Sequence, residues 1–406
     1  MSRCLVCKSA AVEKFLDLGR TALANRFLAG EELYLPEPKF PLVVGFCHAC
    51  THVQLTEIVP PGALFTDYLY VSSASDLLKT HLHELSDVVI NRFNLGRDDL
   101  VVDLGCNDGT LLQGFQRYGV RTLGVDPARN LAELTKAAQI ERYVGFFGSK
   151  SAEEIKTRWG LARIIIATNT FPHIPDLSDF VAGLNTLLAP GGAVVLEMHY
   201  LLDLIEQGAF DTIYHEHVSY WALKPLVTLF ETVGMEVVLA ERLPLHHGQL
   251  RVTIRRKGEA PAHPSVEEIL EDERAKGLDQ FRTYGIFTRR VAEIKRTLRG
   301  SLLGLRSDGK RIAGYGAPAK ASTLLEYLGL GVEVLQYIVD RSPLKQGRYT
   351  PGLHIPVVSP DRLVVDRPDY VLLLAWNFVD EIIHQQTAYR MLGGKFIVPV
   401  PQIRII

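Results

Sequence analysis

Val101-Val-Asp-Leu-Gly-Cys-Asn-Asp-Gly109 carries the strongest indication of the fold in this chain of 406 residues. An unbroken apolar run enters this turn, and a helical pattern that starts at Thr110 follows it. The two glycines, Gly105 and Gly109, allow the backbone to turn tightly beneath a ligand. A strand, a glycine turn and a helix in this order begin a βαβ unit, so the stretch predicts an open α/β sheet.

Further apolar runs, separated by helical patterns, extend this prediction. They are typical of parallel strands buried on both faces, at residues 122–125, 163–166 and 193–196. The same order of strand, glycine turn and helix returns from Ile312 through Gly314-Tyr-Gly316 to Leu328. We therefore expect two Rossmann-like domains. A helix with an apolar stripe connects them, with its apolar residues at Val291, Ile294, Leu298, Leu302 and Leu305.

Differences in composition and sequence pattern along the chain predict three domains. A cysteine- and proline-marked segment covers residues 1–70, the first α/β unit covers 71–255, and the connecting helix with the second α/β unit covers 256–406. With 47% hydrophobic and 22% charged residues, the composition excludes a disordered scaffold. The predicted fold class is thus α/β with a small N-terminal domain.

Charge and hydropathy exclude several classes of partner. Lys and Arg number 44 and Asp and Glu 46, so a net charge of −2 provides no basic field for nucleic acid or an anionic membrane. The first residues lack the apolar core of a signal peptide. No apolar run reaches the roughly 18–20 residues that span a bilayer. We expect a soluble, cytoplasmic protein that is a monomer.

Four of the five cysteines form two Cys-x-x-Cys pairs, Cys4 with Cys7 and Cys47 with Cys50. Four thiolates in two such pairs are the ligand set of a structural Zn²⁺ site, which closes the N-terminal domain. Two unrelated reduced pairs, or a redox pair, are the alternatives, but neither pair opens a βαβ helix. His48 and His52 are expected to be spectators, because the thiolates already fill the coordination shell.

The first glycine turn predicts a nucleoside cofactor. Asp126 ends the next strand, where a carboxylate can accept hydrogen bonds from both ribose hydroxyls. That much suits NAD or S-adenosylmethionine (SAM). Asp103 within the first strand favours SAM, as does Asn107 where a dinucleotide fold needs glycine. The predicted cofactor residues are Asp103, Gly105, Asn107, Gly109, Asp126 and Asn169.

A dense group of polar side chains, Tyr214-His-Glu-His217, lies beyond the expected fifth strand. Histidine titrates near pH 6.5 and can act as a base, and tyrosine can donate to a developing oxyanion. A His-x-His metal site and a purely structural polar network remain alternatives.

Several motifs, in order along nearly the whole chain, resemble the SAM-dependent C-methyltransferases of nucleotide-linked 4-keto-deoxyhexoses. Besides the cysteine pair, the first glycine turn and the Tyr-His-Glu-His group, they are Gly314-Tyr-Gly-Ala-Pro-Ala-Lys320, Asp340-Arg-Ser-Pro-Leu-Lys-Gln-Gly-Arg-Tyr349 and Trp376-Asn-Phe378. The resemblance implies a zinc-binding domain, a class I SAM domain and a C-terminal Rossmann-like domain. It implies methylation at C-3 of a thymidine-diphosphate-linked (dTDP) 4-keto-6-deoxyhexose through an enolate.

The resemblance also implies roles for individual residues. His217 is the base that removes the C-3 proton, Tyr214 stabilises the enolate or relays a proton, and Glu216 orients the group. His173 lies near the methyl donor. The expected substrate contacts are Tyr68, Tyr70, His246, Arg251, Lys320, Lys345 and Asn377.

Two features keep other functions open. The stretch His246-His-Gly-Gln-Leu-Arg251 departs from the family's His-Gly-Gly-Ser-Leu-Arg, which affects the expected sugar contacts. The turn at Gly314-Tyr-Gly316, with Asp340 after the next strand, is itself a nucleotide-site pattern. Were it to hold NAD, the chain would be an oxidoreductase acting on a nucleotide sugar. A zinc-bearing binding module without activity would leave the Tyr-His-Glu-His group unexplained.

Overall fold

The computed structural model describes residues 3–66, 68–69, 71–245 and 248–406. These residues form three sheets that follow one another along the chain and confirm the predicted α/β fold class. The strands are β1 (Val12–Thr21), β2 (Phe40–Cys47), β3 (Val53–Leu55), β4 (Leu100–Leu104), β5 (Arg121–Asp126), β6 (Glu141–Val144), β7 (Ala162–Thr168), β8 (Leu188–His199), β9 (Ser219–Tyr220), β10 (Met235–Leu243), β11 (Gln249–Arg256), β12 (Ile312–Tyr315), β13 (Leu335–Val339), β14 (Val357–Val358), β15 (Tyr370–Leu373), β16 (Lys395–Val398) and β17 (Arg404–Ile405).

The α-helices alternate with the strands in the second and third sheets. They are α1 (Gly62–Phe65), α2 (Asp76–Phe93), α3 (Thr110–Gln116), α4 (Ala132–Ala137), α5 (Ser149–Trp159), α6 (Leu177–Leu187), α7 (Leu201–Gln207), α8 (Leu223–Glu231), α9 (Ser265–Ala275), α10 (Phe281–Ser307), α11 (Ala319–Leu328), α12 (Arg362–Asp366), α13 (Val379–Gln385) and α14 (Thr387–Met391). Short 3₁₀ helices occur between them, among them Phe171–His173, Phe210–Thr212 and Trp376–Phe378.

The N-terminal sheet is antiparallel, with the order β1-β2-β3-β9. Its last strand comes from the central segment, since Val53 of β3 pairs with Tyr220 of β9. The amide of Leu55 also donates to the carbonyl of Val218 at 2.9 Å. The N-terminal domain is therefore joined edge to edge to the chain that follows the Tyr214–His217 segment.

The central sheet has the order β10-β11-β8-β7-β4-β5-β6, parallel from β8 to β6 and antiparallel at β11 and β10. All five residues of β4 are buried, as a strand covered by helices on both faces must be. The strand order reverses between β4 and β7, and in open α/β sheets ligands bind at the carboxyl ends of the strands beside such a reversal.

The C-terminal sheet has the order β14-β13-β12-β15-β16-β17 and is parallel except at β17. The helix α10 leads into it and confirms the predicted connecting helix, because Val291, Ile294, Leu298 and Leu302 are buried along one stripe. Among the described residues, no helix is long and apolar enough to cross a lipid bilayer.

Candidate active site

One cavity of about 750 Å³ lies at the carboxyl ends of the central strands and extends to the second glycine turn. Residues from the N-terminal, central and C-terminal parts of the chain line it, which is typical of ligand sites placed between domains. Among the residues expected from the sequence, the cavity is lined by Tyr68, Gly105, Asn107, Asp126, Asn169, His173, Tyr214, His217, Lys320, Lys345 and Asn377. Residues that were expected to bind the cofactor, to act as the base and to bind the substrate thus line one space.

The remaining expected site residues lie elsewhere. Tyr70 and His246 fall outside the described residues. Asp103 and Gly109 belong to the first glycine turn, and Glu216 to the Tyr-His-Glu-His segment, but none of these three is among the described residues that line the cavity.

Arg251, expected at the sugar, is buried in the central sheet instead. It lies opposite Glu197 in the pairing of β11 with β8, and its Nε donates to that carboxylate at 2.8 Å. Nε2 of His81 lies 2.6 Å from the other oxygen of Glu197. The arginine is held by this buried ion pair rather than exposed to a ligand.

The four paired cysteines converge in the N-terminal domain. Their Sγ atoms all lie within 4.8 Å of one another, with Cys4 to Cys50 at 3.5 Å and Cys7 to Cys47 at 3.6 Å. A tetrahedral zinc with Zn–S bonds of about 2.3 Å requires sulfurs about 3.8 Å apart, so the donor set fits Zn²⁺. The neighbouring histidines point to other partners: His48 lies 2.8 Å from Glu13 and His52 lies 3.1 Å from Ser219.

The first glycine turn presents Asp126 to the cavity. Oδ2 of Asp126 accepts from the amide of Asn107 at 2.9 Å, and Oδ1 accepts from the amide of Ala128 at 2.8 Å. Gly105 has a φ of +78°, and a Cβ at that position would collide with the side chain of Thr170. The backbone therefore needs glycine here, and the carboxylate is held at the strand end where ribose hydroxyls bind.

Arg142, which the sequence reasoning missed, clamps this turn. Its guanidinium donates to Oδ1 of Asp126 at 3.1 Å, to the carbonyl of Ala128 at 2.6 Å and to the carbonyl of Asn107 at 3.2 Å. Burial raises the pKa of Asp126, while the two backbone amides and Arg142 oppose that rise. A single arginine thus joins both loops that frame the predicted ribose site.

Two buried oxygens lie next to this turn, and the one that lines the cavity, on Asn169, supports the fit of a polar cofactor. Oδ1 of Asn169 lacks a hydrogen-bond partner among the described residues, and Asn169 lines the cavity. Oδ1 of Asp103 is likewise without a partner in the described part of the chain, and burial together with the charges of Asp126 and Asp108 raises the pKa of Asp103 to about 8. SAM carries the amine and hydroxyl donors that such acceptors require.

Tyr214 and His217 form a hydrogen-bonded pair in the cavity wall. Nδ1 of His217 lies 2.8 Å from the carbonyl of Thr212, and Nε2 lies 2.8 Å from the phenol of Tyr214. A carbonyl only accepts, so Nδ1 carries the proton of the neutral ring and Nε2 accepts from the phenol. The basic nitrogen is therefore directed to Tyr214.

Aromatic rings enclose this pair. His173 stacks on His217 with ring centroids 5.1 Å apart, Phe65 stacks on His173 at 5.1 Å, and His199 lies 5.2 Å from His217. Burial lowers the pKa of His217 to about 3, and His173 contributes to that decrease. Burial likewise lowers the pKa of His173 to about 3. Both rings are therefore neutral at cellular pH, and the low pKa makes each a weak base while no negative charge lies beside it.

Glu216 faces away from His217, which differs from its expected role in orienting the imidazole. Its carboxylate accepts from Nδ2 of Asn25 at 2.8 and 3.0 Å and from the phenol of Tyr68 at 3.0 Å. Burial raises the pKa of Glu216 to about 7. The carbonyl of Thr212 holds the imidazole instead, and neither Thr212 nor Asn25 was predicted.

The second glycine turn reaches the same cavity through Asp340. Its Oδ2 accepts from the amide of Ala317 at 2.6 Å and its Oδ1 from the amide of Ser342 at 2.7 Å. Gly316 has a φ of +85°, and a Cβ there would collide with Ala375. Asp340, like Asp126, is thus fixed by backbone amides at a strand end.

Two lysines accompany this second turn, of which Lys345 is buried and Lys320 is partly buried. Nζ of Lys320 donates to Oδ1 of Asn377 and lies 4.3 Å from the ring centroid of Trp376. Burial lowers the pKa of Lys320 to about 8. Nζ of Lys345 donates to the carbonyl of Ala317 at 2.8 Å. Together they provide positive charge for an anionic ligand.

Three sequence families match consecutive parts of the chain. Residues 4–65 match the family described as "Putative zinc binding domain", residues 77–240 match "Methyltransferase domain", and residues 244–401 match "C-methyltransferase C-terminal domain".

Similar proteins are C- and O-methyltransferases. C-methyltransferase NovU from Streptomyces niveus is 39% identical over 407 aligned residues, which cover 100% of this chain and 97% of that protein. Ubiquinone biosynthesis O-methyltransferase from Rhodopseudomonas palustris (strain BisB18) is 29% identical over 97 residues, 24% of this chain and 38% of that protein. Among solved structures, the PH0226 protein from Pyrococcus horikoshii is 13% identical with a TM-score of 0.37, covering 50% of this chain and 100% of that chain.

Proposed function

Because this chain belongs to the C-methyltransferase family that joins a zinc-binding domain, a methyltransferase domain and a characteristic C-terminal domain, we propose that it methylates C-3 of a dTDP-linked 4-keto-6-deoxyhexose. The chain is a SAM-dependent C-methyltransferase, and its cofactors are SAM and structural zinc. Membership in this family excludes the alternative of an NAD-dependent oxidoreductase.

The observation that carries the proposal is the shared cavity. It brings the first glycine turn, the Tyr214–His217 pair and the second glycine turn into one space. A methyl donor, a base and a second nucleotide can then meet without leaving the protein, as a transfer between two bound ligands requires. The zinc-binding domain closes the same space from one side through Asn25.

The second turn supports a nucleoside diphosphate as the handle of the substrate. Asp340 is placed to accept from a sugar hydroxyl, as a carboxylate at the end of the second strand does in dinucleotide sites. Lys320 and Lys345 line the cavity beside it and match the two negative charges of a diphosphate. Thymine as the base of that nucleotide is a further part of the proposal.

A carbon next to a ketone is a weak acid, so its methylation requires a base and a partner for the enolate oxygen. Nε2 of His217 takes up the C-3 proton by way of Tyr214: the phenol oxygen receives the proton from C-3 and passes its own to Nε2. Bound SAM supplies the methyl group. Burial lowers the pKa of His217 to about 3. The enolate offsets this decrease, because a nearby negative charge favours the protonated ring.

In this proposal Tyr68 belongs to the wall that closes over the sugar. The carboxylate of Glu216 accepts from the phenol of Tyr68 at 3.0 Å and keeps the ring over the cavity that it lines. His173 shields the reacting carbon from water by its stacked contact with Phe65. A cytoplasmic location and a monomeric state remain predictions.

A panel of dTDP-4-keto sugars incubated with SAM and analysed by mass spectrometry tests the proposal. The matched control is the same dTDP sugar with a hydroxyl at C-4, which lacks the acidified C–H. We expect a methylated product only from the 4-keto sugars. Equal methylation of the 4-hydroxy control would contradict the proposed substrate class. A complete lack of methylation across the panel would contradict it as well.

A further inference from the structure

Residues 22–28 of the N-terminal domain leave strand β1 and lie against the other two domains. The amide of Ala22 donates to Glu326 at 3.0 Å, and Ser322 donates to the carbonyl of Ala24 at 3.0 Å. Leu28 and Tyr349 exchange two backbone hydrogen bonds of 2.9 Å. The segment is therefore fixed to the C-terminal domain at both of its ends.

Asn25 lies in the middle of residues 22–28 and contacts the central domain. Its amide nitrogen donates to both oxygens of Glu216, and Asn25 also lines the cavity. Glu216 is 3% exposed and is separated from Asn25 by 191 positions in the sequence. One amide thus connects the zinc-binding domain to the Tyr214–His217 segment.

We propose that Asn25 is a positioning residue for catalysis, through which the zinc-binding domain holds Glu216 ionised and so fixes Tyr68 over the substrate. The proposal rests on the proposed sugar methylation for its kinetic readout. Its structural basis is the arrangement of two donors on one buried carboxylate: the amide of Asn25 and the phenol of Tyr68.

An amide suits this position because it donates without carrying a charge. Glu216 faces the Asn25 amide from the zinc-binding domain, the Tyr68 phenol from the loop after α1, and the Lys345 ammonium from the C-terminal domain. Burial raises the pKa of Glu216 to about 7, and these three groups oppose the rise. Removing the amide takes away donors to the charged form, which raises that pKa further.

Two substitutions at this position are expected to shift the pH profile in opposite directions. With Asn25→Ala, the acid limb of kcat/KM for the sugar moves up by about one pH unit, since a hydrogen bond to a charged group contributes on that order. With Asn25→Asp, the introduced carboxyl group and Glu216 share one proton, as close carboxyl pairs do. The new carboxyl group, when protonated, then donates to Glu216, so the acid limb moves down and an alkaline limb appears.

Arg26→Ala is the matched control, because Arg26 is the next residue but is exposed and pairs only weakly with Glu32 at 3.5 Å. We expect its pH profile to equal that of the unchanged enzyme. An infrared titration measures the protonation of Glu216 without turnover. The absorption band of the protonated carboxyl group is obtained as the difference between the spectrum of each protein and that of the same protein with Glu216→Gln. The band should persist to higher pH in Asn25→Ala.

Equal losses of activity in both Asn25 variants, with unmoved acid limbs and an unchanged infrared titration, would show that Asn25 only supports the fold and would overturn the proposal. If the enzyme methylates no sugar of the panel, the proposed function fails, but the infrared titration still decides the role of Asn25. Circular dichroism and zinc content identify any variant that has not folded. If one of the Asn25 variants has not folded, Asn25→Ser takes its place in the titration.

Discussion

The two glycine turns have almost the same backbone frame. In the first, the amide of Gly105 donates to the carbonyl of Val125 at 2.7 Å, and Asn107 donates to Asp126 at 2.9 Å. In the second, Gly316 donates to Val339 at 2.7 Å, and Ala317 donates to Asp340 at 2.6 Å. In each turn the backbone places one carboxylate at the end of the second strand of its βαβ unit.

The basic side chains beside the two carboxylates differ. Arg142 uses its donors on Asp126 and on the carbonyls of both loops, so it stabilises the protein frame. Lys320 and Lys345 line the cavity beside Asp340. We propose that the shared frame binds a sugar hydroxyl at each turn, and that the neighbouring cations determine whether the ligand also carries phosphate. We assign SAM, which has no phosphate, to the first turn and a nucleoside diphosphate to the second.

Exchanging each carboxylate for an amide gives the largest expected effect. Asp126→Asn should weaken the binding of S-adenosylhomocysteine about 100-fold, since two hydrogen bonds to a charged group are weakened. Asp340→Asn should weaken the binding of dTDP by a similar factor. Each variant should leave the other ligand's affinity unchanged in calorimetry. A loss of both affinities in either variant would break the assignment of one ligand to each turn.

Removing a cation at the second turn gives a smaller effect. Lys320→Ala should weaken dTDP binding about tenfold, the loss of one charge-assisted contact, and should not affect S-adenosylhomocysteine. Lys310→Ala is a suitable control, because Lys310 is half-exposed and pairs with Asp369 away from the cavity at 3.7 Å. Equal dTDP affinity in the Lys320 and Lys310 variants would place the diphosphate elsewhere.

The protonation of Lys320 should appear as a pH dependence of the same binding step. Burial lowers the pKa of Lys320 to about 8, so the ammonium loses its proton as the pH rises through that value. The affinity for dTDP should therefore fall severalfold between about pH 7 and pH 9, and Lys320→Arg should remove this decrease because arginine stays charged. An identical decrease in Lys320→Arg would assign the titration to another group.

Arg142→Lys gives the smallest expected effect and tests whether Arg142 stabilises the first glycine turn. Lysine keeps the positive charge but cannot reach Asp126, Ala128 and Asn107 together. We expect a severalfold higher KM for SAM with kcat and dTDP affinity unchanged. A decrease in kcat without a change in KM would contradict a role confined to the cofactor turn.

The sequence predicts this site best where a local rule fixes the position. Gly105 and Asp126 follow from the order of strand, turn, helix and strand, and both line the cavity. The four zinc-site cysteines follow from spacing alone, and they converge within 4.8 Å. In these cases the backbone geometry is set by neighbours in the sequence.

Contacts between distant segments could not be predicted in this way. Asn25 meets Glu216 only because β9 joins the N-terminal sheet, and nothing near either residue signals that pairing. For Arg251 the motif suggested a ligand contact, whereas the pairing of the strands places its side chain against the buried Glu197. Arg142 carries no motif at all, and its role depends on where β6 lies beside β5.

The central claim is that the methyl group is added to C-3 after that carbon loses its proton. A dTDP-4-keto-6-deoxyhexose carrying deuterium at C-3, incubated with the enzyme and SAM and weighed by mass spectrometry, tests this claim most directly. We expect that every product molecule has gained one methyl group and lost the deuterium. A methylated product that retains the deuterium would contradict it, because the methyl group would then lie on another atom.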